Sequence, residues 1–195
     1  KFNVPERTID IVFPDRYSVS VIKSAEYLKL SKKEKKILAN KFFYDSYLMN
    51  QAACNSPHVV FWIGKKNKKI TKIFFQNLLN IAEKKFKLNQ NISIKKYKNL
   101  CKSIIENKGY KNIELYNNYL YIIDLKNNMK LIENLRGTYG TFFQKNVNSI
   151  LSFSKFITKK CQTVTYYGFK KNEFDNLIFD TNIFPLTVSV RYIFL

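Results

Sequence analysis

The chain has 195 residues, a mass of 23.2 kDa and a formal net charge of +20, from 34 Lys+Arg against 14 Asp+Glu. With 46% hydrophobic and 16% aromatic residues it can bury a substantial core, which excludes global disorder. No apolar run reaches ~18 residues, so no membrane-spanning helix is expected. The five glycines form neither a dinucleotide fingerprint nor a P-loop. The opening Lys1-Phe2-Asn3-Val4 carries no apolar signal stretch, and a start without Met beside a strand-like run reads as a piece of something longer. Only Arg7, Arg16, Arg136 and Arg191 are arginine, and base reading in nucleic acid leans on that side chain. A solvated lysine surface is therefore the plainer reading of the charge. The sharper one is an anion surface for nucleic acid, a phosphorylated cofactor or an acidic partner.

Three cysteines at wide spacings (Cys54, Cys101, Cys161) and a single histidine, His58, offer no CxxC and no Cys/His cluster. A structural zinc site is not expected, and the free thiols fit a reducing cytoplasm.

Thr8–Phe13 alternates weakly and reads as a strand, closed by a turn at Pro14-Asp15. Ser18–Ile22 reads as a second strand. Ser31-Lys32-Lys33-Glu34 is a capping box, opening a helix whose apolar stripe runs to about Asn50. Gln51–Pro57 is small and polar. The continuous apolar run Val59–Ile63, ended by Gly64, has the signature of a strand buried on both faces, with Trp62 in the core. The basic run Lys65–Lys69 reads as a loop. Ile70–Leu88 and Ser93–Asn107 read as helices. Ile113–Tyr116 and Tyr119–Leu125 flank Asn117-Asn118, a hairpin signal. Val147–Ile157 reads as a short helix capped by Asn146, Val164–Tyr167 as a strand, Glu173–Phe179 as a helix and Leu186–Phe194 as a last strand. Strands alternating with helices predict an α/β layered domain.

Cys54 sits between the capped helix and the buried strand, on a loop of small residues. Such a junction places a side chain at a sheet edge, where α/β proteins bind substrates. Ala52, Ala53 and Ser56 leave room around the sulfur, and Asn55 and Ser56 offer donors for an oxyanion. A thiolate there can attack an acyl carbonyl and form a thioester; the plainer reading is a small cysteine that fills space. His58 is a candidate base or proton donor. Asp15-Arg16 is either an exposed ion pair of little energetic weight or a pair that orients a substrate phosphate. Cys101 and Cys161 read as packing residues.

Two stretches carry a family resemblance. Phe13-Pro14-Asp15-Arg16-Tyr17-Ser18-Val19-Ser20-Val21-Ile22 resembles the segment that opens the catalytic domain of LuxC-type acyl-CoA reductases, fatty-acid reductases of the aldehyde dehydrogenase superfamily. Gln51-Ala52-Ala53-Cys54-Asn55-Ser56-Pro57-His58 is similar to that family's nucleophile motif, with Cys54 at the acylated cysteine. Cys161–Gly168 is a looser match to a strand near its C-terminal end. The resemblance implies an aldehyde-dehydrogenase-like catalytic lobe over residues 1–195: a mostly parallel sheet flanked by helices, with an added hairpin, and with most of the nicotinamide-binding lobe absent from this chain. It implies acyl transfer from coenzyme A or a carrier to Cys54 and reduction by NADPH to an aldehyde, without a metal, in a cytoplasmic homo-oligomer. Hydrolytic aldehyde dehydrogenases carry a deacylating Glu in an opening strand; that position falls near Phe13, and no Glu lies between Thr8 and Ile22. The segment Asp180–Leu195 departs from the family's Gly-, Asp-, Arg- and Pro-containing continuation. Two other readings stand beside the enzyme: a basic module for nucleic acid or an acidic partner, with nucleic acid the less expected, and a degenerate lobe kept for assembly.

Overall fold

In a computed structural model, residues 15–65, 67–129, 131–170 and 172–173 are described, together with the backbone of 189–192. The expected strand Thr8–Phe13, and all but the first residue of the expected helix Glu173–Phe179, lie outside the described residues. The elements run β1 (Tyr17–Lys23), α1 (Ser24–Lys29), α2 (Lys32–Ser46), β2 (Pro57–Ile63), α3 (Lys68–Lys85), α4 (Gln90–Glu106), β3 (Tyr110–Tyr116), β4 (Leu120–Leu125), β5 (Thr141–Val147), α5 (Ile150–Ser154), β6 (Cys161–Tyr167) and β7 (Ser189–Tyr192).

Among the described residues, seven strands form one sheet in the order β3-β4-β5-β2-β1-β6-β7. Every pairing is parallel except β3 with β4. That exception is the expected hairpin, which turns through Asn117 at φ 50°. Parallel strands need cover on both faces, and β2 shows why its sequence is a continuous apolar run. Val59, Phe61 and Ile63 enter the core cluster on one face, with Phe153 of α5 and Leu100 of α4. Val60 and Trp62 enter the cluster on the other, with Phe42 of α2 and Phe74 and Leu78 of α3. Trp62 meets Phe74 and Phe75 edge to face.

The Ser31 capping box is present: the Ser31 hydroxyl accepts from the Glu34 amide and the Glu34 carboxylate from the Ser31 amide. Three readings need correction. The helix opened there ends at Ser46, because residues 47–51 turn and two of them take positive φ. The basic run is not all loop: Asn67 caps α3 by accepting from the amides of Lys69 and Ile70, so Lys68 and Lys69 form its first turn. Asn146 and Val147 belong to β5, and α5 is capped by Ser149. Among the described residues no helix is long and apolar enough to cross a membrane.

α4 is the least ordinary element. Its seventeen residues bury only Lys96 and Leu100 and leave Ile94, Tyr97 and Ile105 exposed. The Lys96 ammonium has no carboxylate partner among the described ion pairs. It donates to the carbonyls of Asn118 (2.9 Å) and Gly140 (3.4 Å) and sits 4.0 Å from the centre of the Tyr121 ring. Burial pushes its pKa down from 10.5 to about 7. A lysine whose pKa falls on folding binds its proton more readily in the unfolded chain. Its contribution to stability therefore rises with pH above 7, towards the tyrosine range near ~10. Denaturant midpoints are expected to climb between pH 7 and about 8.5, below the range in which the buried Cys161 thiol opposes the gain, and to climb less in Lys96→Met. Parallel pH profiles of the two would show that the ammonium is not desolvated.

Candidate functional site

The loop that carries Cys54 is held from three directions at the amino-terminal ends of the parallel strands. Gln51 is fully buried. Its carboxamide nitrogen donates to the carbonyls of Pro57 (3.0 Å) and Thr141 (2.9 Å), and its oxygen accepts from the amides of Gly140 (3.1 Å) and Thr141 (3.2 Å). One side chain thus fastens the loop to the first residues of β2 and β5. From β1, the buried Ser18 hydroxyl donates to the carbonyl of Cys54 itself at 2.6 Å. Asn50 and Gln51 both take positive φ, at 54° and 62°. Such conformations cost non-glycine residues on the order of 1–3 kcal/mol each and persist where surrounding bonds over-determine them. The Cys54 side chain is exposed at the tip.

The partner segment is 136–141. Gly137 and Gly140 are required there by close approach: a Cβ on Gly137 would stand 1.8 Å from the Thr141 carbonyl oxygen, and one on Gly140 would stand 2.4 Å from the Tyr47 hydroxyl. Gly140 also has φ +80°. Tyr139 bonds through its amide to the Asn50 carbonyl at 3.1 Å, locking the two loops together. Sequence reasoning overlooked this segment. Its signal was present: two of only five glycines three apart, next to one of four arginines.

His58 is buried behind the loop. The Gly137 amide donates to its Nδ1 at 3.1 Å, and the Gly137 carbonyl lies 3.2 Å away. Burial and the nearby Arg136 guanidinium lower its pKa from 6.5 to about 4, against the opposing Gly137 contact and Asp15. The ring is neutral at neutral pH, and no hydrogen bond joins it to Cys54 among the described residues. Asp15 does not pair with its neighbour Arg16. It pairs with Arg136 at 2.6 Å, while the other Arg136 amino group donates to the carbonyls of Glu133 and Leu135. Asn55 is exposed. Ser56 is buried, and its amide donates to Ala53 at 2.9 Å, so that donor is already engaged. The structure therefore gathers Asp15, Ser18, the Cys54 loop and His58 at one sheet edge, with Arg16 half-buried beside them. This is the amino edge, whereas α/β sheets usually bind ligands at the carboxyl edge.

The other two cysteines differ in access. Cys101 is half-buried on α4. Cys161 is buried at the start of β6, where burial raises its thiol pKa to about 12. Among the described residues no group of three or more His, Cys, Asp and Glu is placed to hold a metal ion.

No family model matches the sequence, and no curated protein matches it either. Solved structures match the fold. An NAD-dependent aldehyde dehydrogenase from Sinorhizobium meliloti gives a TM-score of 0.56 at 9% identity, covering 92% of this chain and 37% of that one. AldH of Staphylococcus aureus in its substrate-bound state gives 0.58 at 7% identity, covering 91% and 39%. A succinate-semialdehyde dehydrogenase from Burkholderia pseudomallei gives 0.53 at 8% identity, covering 91% and 38%. The chain has an aldehyde-dehydrogenase-like fold. It spans under two-fifths of the length of these enzymes, and at such identities the likeness is one of fold.

The buried histidine makes a pH prediction. His58 is the chain's only histidine, and its pKa is lowered on folding, so the unfolded state takes up the proton first. Stability present above pH 6.5 is then lost as pH falls towards 4, by on the order of 3 kcal/mol. Urea denaturation at stepped pH is expected to show the start of this loss between pH 6.5 and the onset of carboxylate titration. The slope there should vanish in His58→Gln. A native protein equally stable at both ends of that interval would contradict the buried, neutral assignment.

Proposed function

We propose that Cys54 is an acyl-accepting nucleophile in an acyl-CoA or acyl-carrier reductase of the aldehyde dehydrogenase type. The observation that carries this reading is an exposed thiol on a loop whose backbone is fixed by the buried carboxamide of Gln51 and by Ser18. A nucleophile gains from being presented in one geometry, since proximity and orientation supply much of the rate of a group transfer. In the acylation step the Cys54 thiol gives its proton to solvent. Its sulfur forms a bond to the carbonyl carbon of the donor thioester. The donor's carbon–sulfur bond then breaks, and the departing thiolate takes up a proton. Asn55, exposed and next to Cys54 in the chain, is the proposed oxyanion donor; the Ser56 amide is held by Ala53 and would need to turn away from it to assist. Neutral His58 and the Arg136-bound Asp15 act as supports of the scaffold in this reading, with Arg16 at its rim.

Two further features favour reduction over hydrolysis. The carboxylate nearest in sequence to Phe13, where the deacylating Glu is expected, is Asp15, and it is tied to Arg136; no Glu stands in β1 to activate water. Nicotinamide chemistry is what the fold likeness and the sequence resemblance suggest. The described residues do not themselves fit a dinucleotide: a single glycine, Gly64, follows β2 where the fingerprint turn uses three. Acylation is therefore the step assigned to these residues, with NADPH the proposed reductant and a cytoplasmic setting part of the same reading.

Intact-mass analysis after incubation with a panel of acyl-CoAs, followed by peptide mapping, tests the assignment. A hydroxylamine-labile acyl adduct is expected on Cys54, abolished in Cys54→Ala and retained in Cys101→Ala and Cys161→Ala. An adduct that survives Cys54→Ala, or none from any donor, would overturn it.

A further inference from the structure

At the edge of the sheet opposite Cys54, the carboxyl ends of β2, β4 and β5 open into a cavity of about 590 Å³. Strands of seven residues at about 3.3 Å each separate the two edges by roughly 20 Å. The cavity lies between the first turns of α3 and the hairpin strand β3. This is the edge where open α/β sheets receive ligands, and its volume suits a small molecule.

Its charges are unbalanced in a particular way. Four lysines line it: Lys68 and Lys72 from α3, Lys111 from β3 and Lys145 from β5. None has a carboxylate partner among the described ion pairs. The two carboxylates in the wall are already satisfied by neutral donors. Glu114 accepts from Asn112 and from the Tyr116 hydroxyl, and Asp124 accepts from Gln144. The wall as a whole carries four cations against two anions, none of them in a direct ion pair among the described residues.

Lys145 is the most telling of the four. It stands in an interior strand, is 5% exposed, and lines both this cavity and an adjoining one. Its ammonium donates to the carbonyls of Lys126 (2.6 Å) and Asn127 (3.2 Å). Burial lowers its pKa, and an anion alongside would favour the charged form. Gln144, its neighbour, accepts from the Trp62 indole at 3.0 Å, so the wall also presents an aromatic ring and its polar anchor.

We infer that this carboxyl-edge cavity binds a phosphate-bearing small molecule of up to nucleotide size, through Lys68, Lys72, Lys111 and Lys145. The site is separate from Cys54 and does not depend on the acyl-transfer reading.

Trp62 is the chain's single tryptophan, so its fluorescence reports on the cavity wall directly. Titration with pyrophosphate and with ADP is expected to give a saturable change with half-saturation below about 1 mM. Half-saturation should rise at least about tenfold in the exposed-surface double variant Lys68→Gln/Lys72→Gln and stay unchanged in Cys54→Ala. Equal responses to the two probes would assign the site to the phosphates alone, and tighter binding of ADP would assign it to a nucleotide; both support the inference. It would be overturned by the lack of a saturable response to either probe, by the same response to sodium chloride at matched ionic strength, or by equal binding in the double variant. An equal response to duplex DNA at matched phosphate would also overturn it, since that is what a general lysine surface gives.

Discussion

The buried carboxamide of Gln51 ties the candidate site to the fold. A primary amide offers two donor hydrogens and an acceptor oxygen, and all are used: the carbonyls of Pro57 and Thr141 receive the hydrogens, and the amides of Gly140 and Thr141 share the oxygen. A buried polar group with every partner in place is stable, whereas one with a missing partner costs the desolvation of that group. Shifting the loop would break these four bonds together, which holds it in place. The two left-handed residues, Asn50 and Gln51, follow from it, and so do the two glycines that let segment 136–141 approach. Cys54 is exposed, yet the loop that carries it is fastened to β1, β2 and β5.

The same logic runs through the two buried lysines. Lys96 and Lys145 are each placed against backbone carbonyls and an aromatic ring, with no carboxylate partner among the described residues. Carbonyl oxygens stabilise an ammonium without adding an opposite charge, so part of the desolvation cost stays uncompensated and both pKa values fall. The consequences differ with place. Lys96 donates to Gly140, whose amide in turn donates to Gln51, so α4 supports the Cys54 loop through a chain of hydrogen bonds. Lys145 ends at the other edge of the sheet, in the wall of an open cavity. Opposite edges of one sheet thus carry a constrained thiol and an unbalanced cluster of cations.

How far the sequence was legible depended on whether a segment's local pattern served the core alone. β2 was readable because parallel pairing buries it on both faces, which demands an apolar run. The Ser31 capping box and the hairpin at Asn117 were readable because their partners lie within three or four residues. β5 was not. Phe142 and Phe143 follow its first residue, Thr141, in the apolar way of a buried strand, but Gln144, Lys145 and Asn146 come next, and they line the carboxyl-edge cavities. Where a central strand also furnishes a cavity wall, the periodicity that announces a strand is broken by the residues the cavity uses. Asp15 illustrates a second limit. Its neighbour Arg16 was the obvious partner, but the actual one, Arg136, is 121 positions away and is brought near only by the pairing of distant strands. Cys54 itself was legible by position, between a capped helix and a buried strand; the four-way role of Gln51 was not, because its bonds reach ninety residues along the chain.

Burial, more than chemistry of the element, separates the three thiols. Cys161 begins a parallel strand and is fully enclosed, and burial raises its pKa because a thiolate there would lose its solvation. Cys101 shares α4 with Lys96 but is only half-buried. Cys54 stands exposed where three segments converge, one of them closed by the Asp15–Arg136 ion pair. An unpaired guanidinium beside the loop would bias any anion towards the arginine rather than the thiol. With Arg136 bound by one carboxylate and two carbonyls, its charge is spent on holding segment 136–141 in place. The edge is therefore held by polar groups that face one another, and the thiol is left as the group that faces outward.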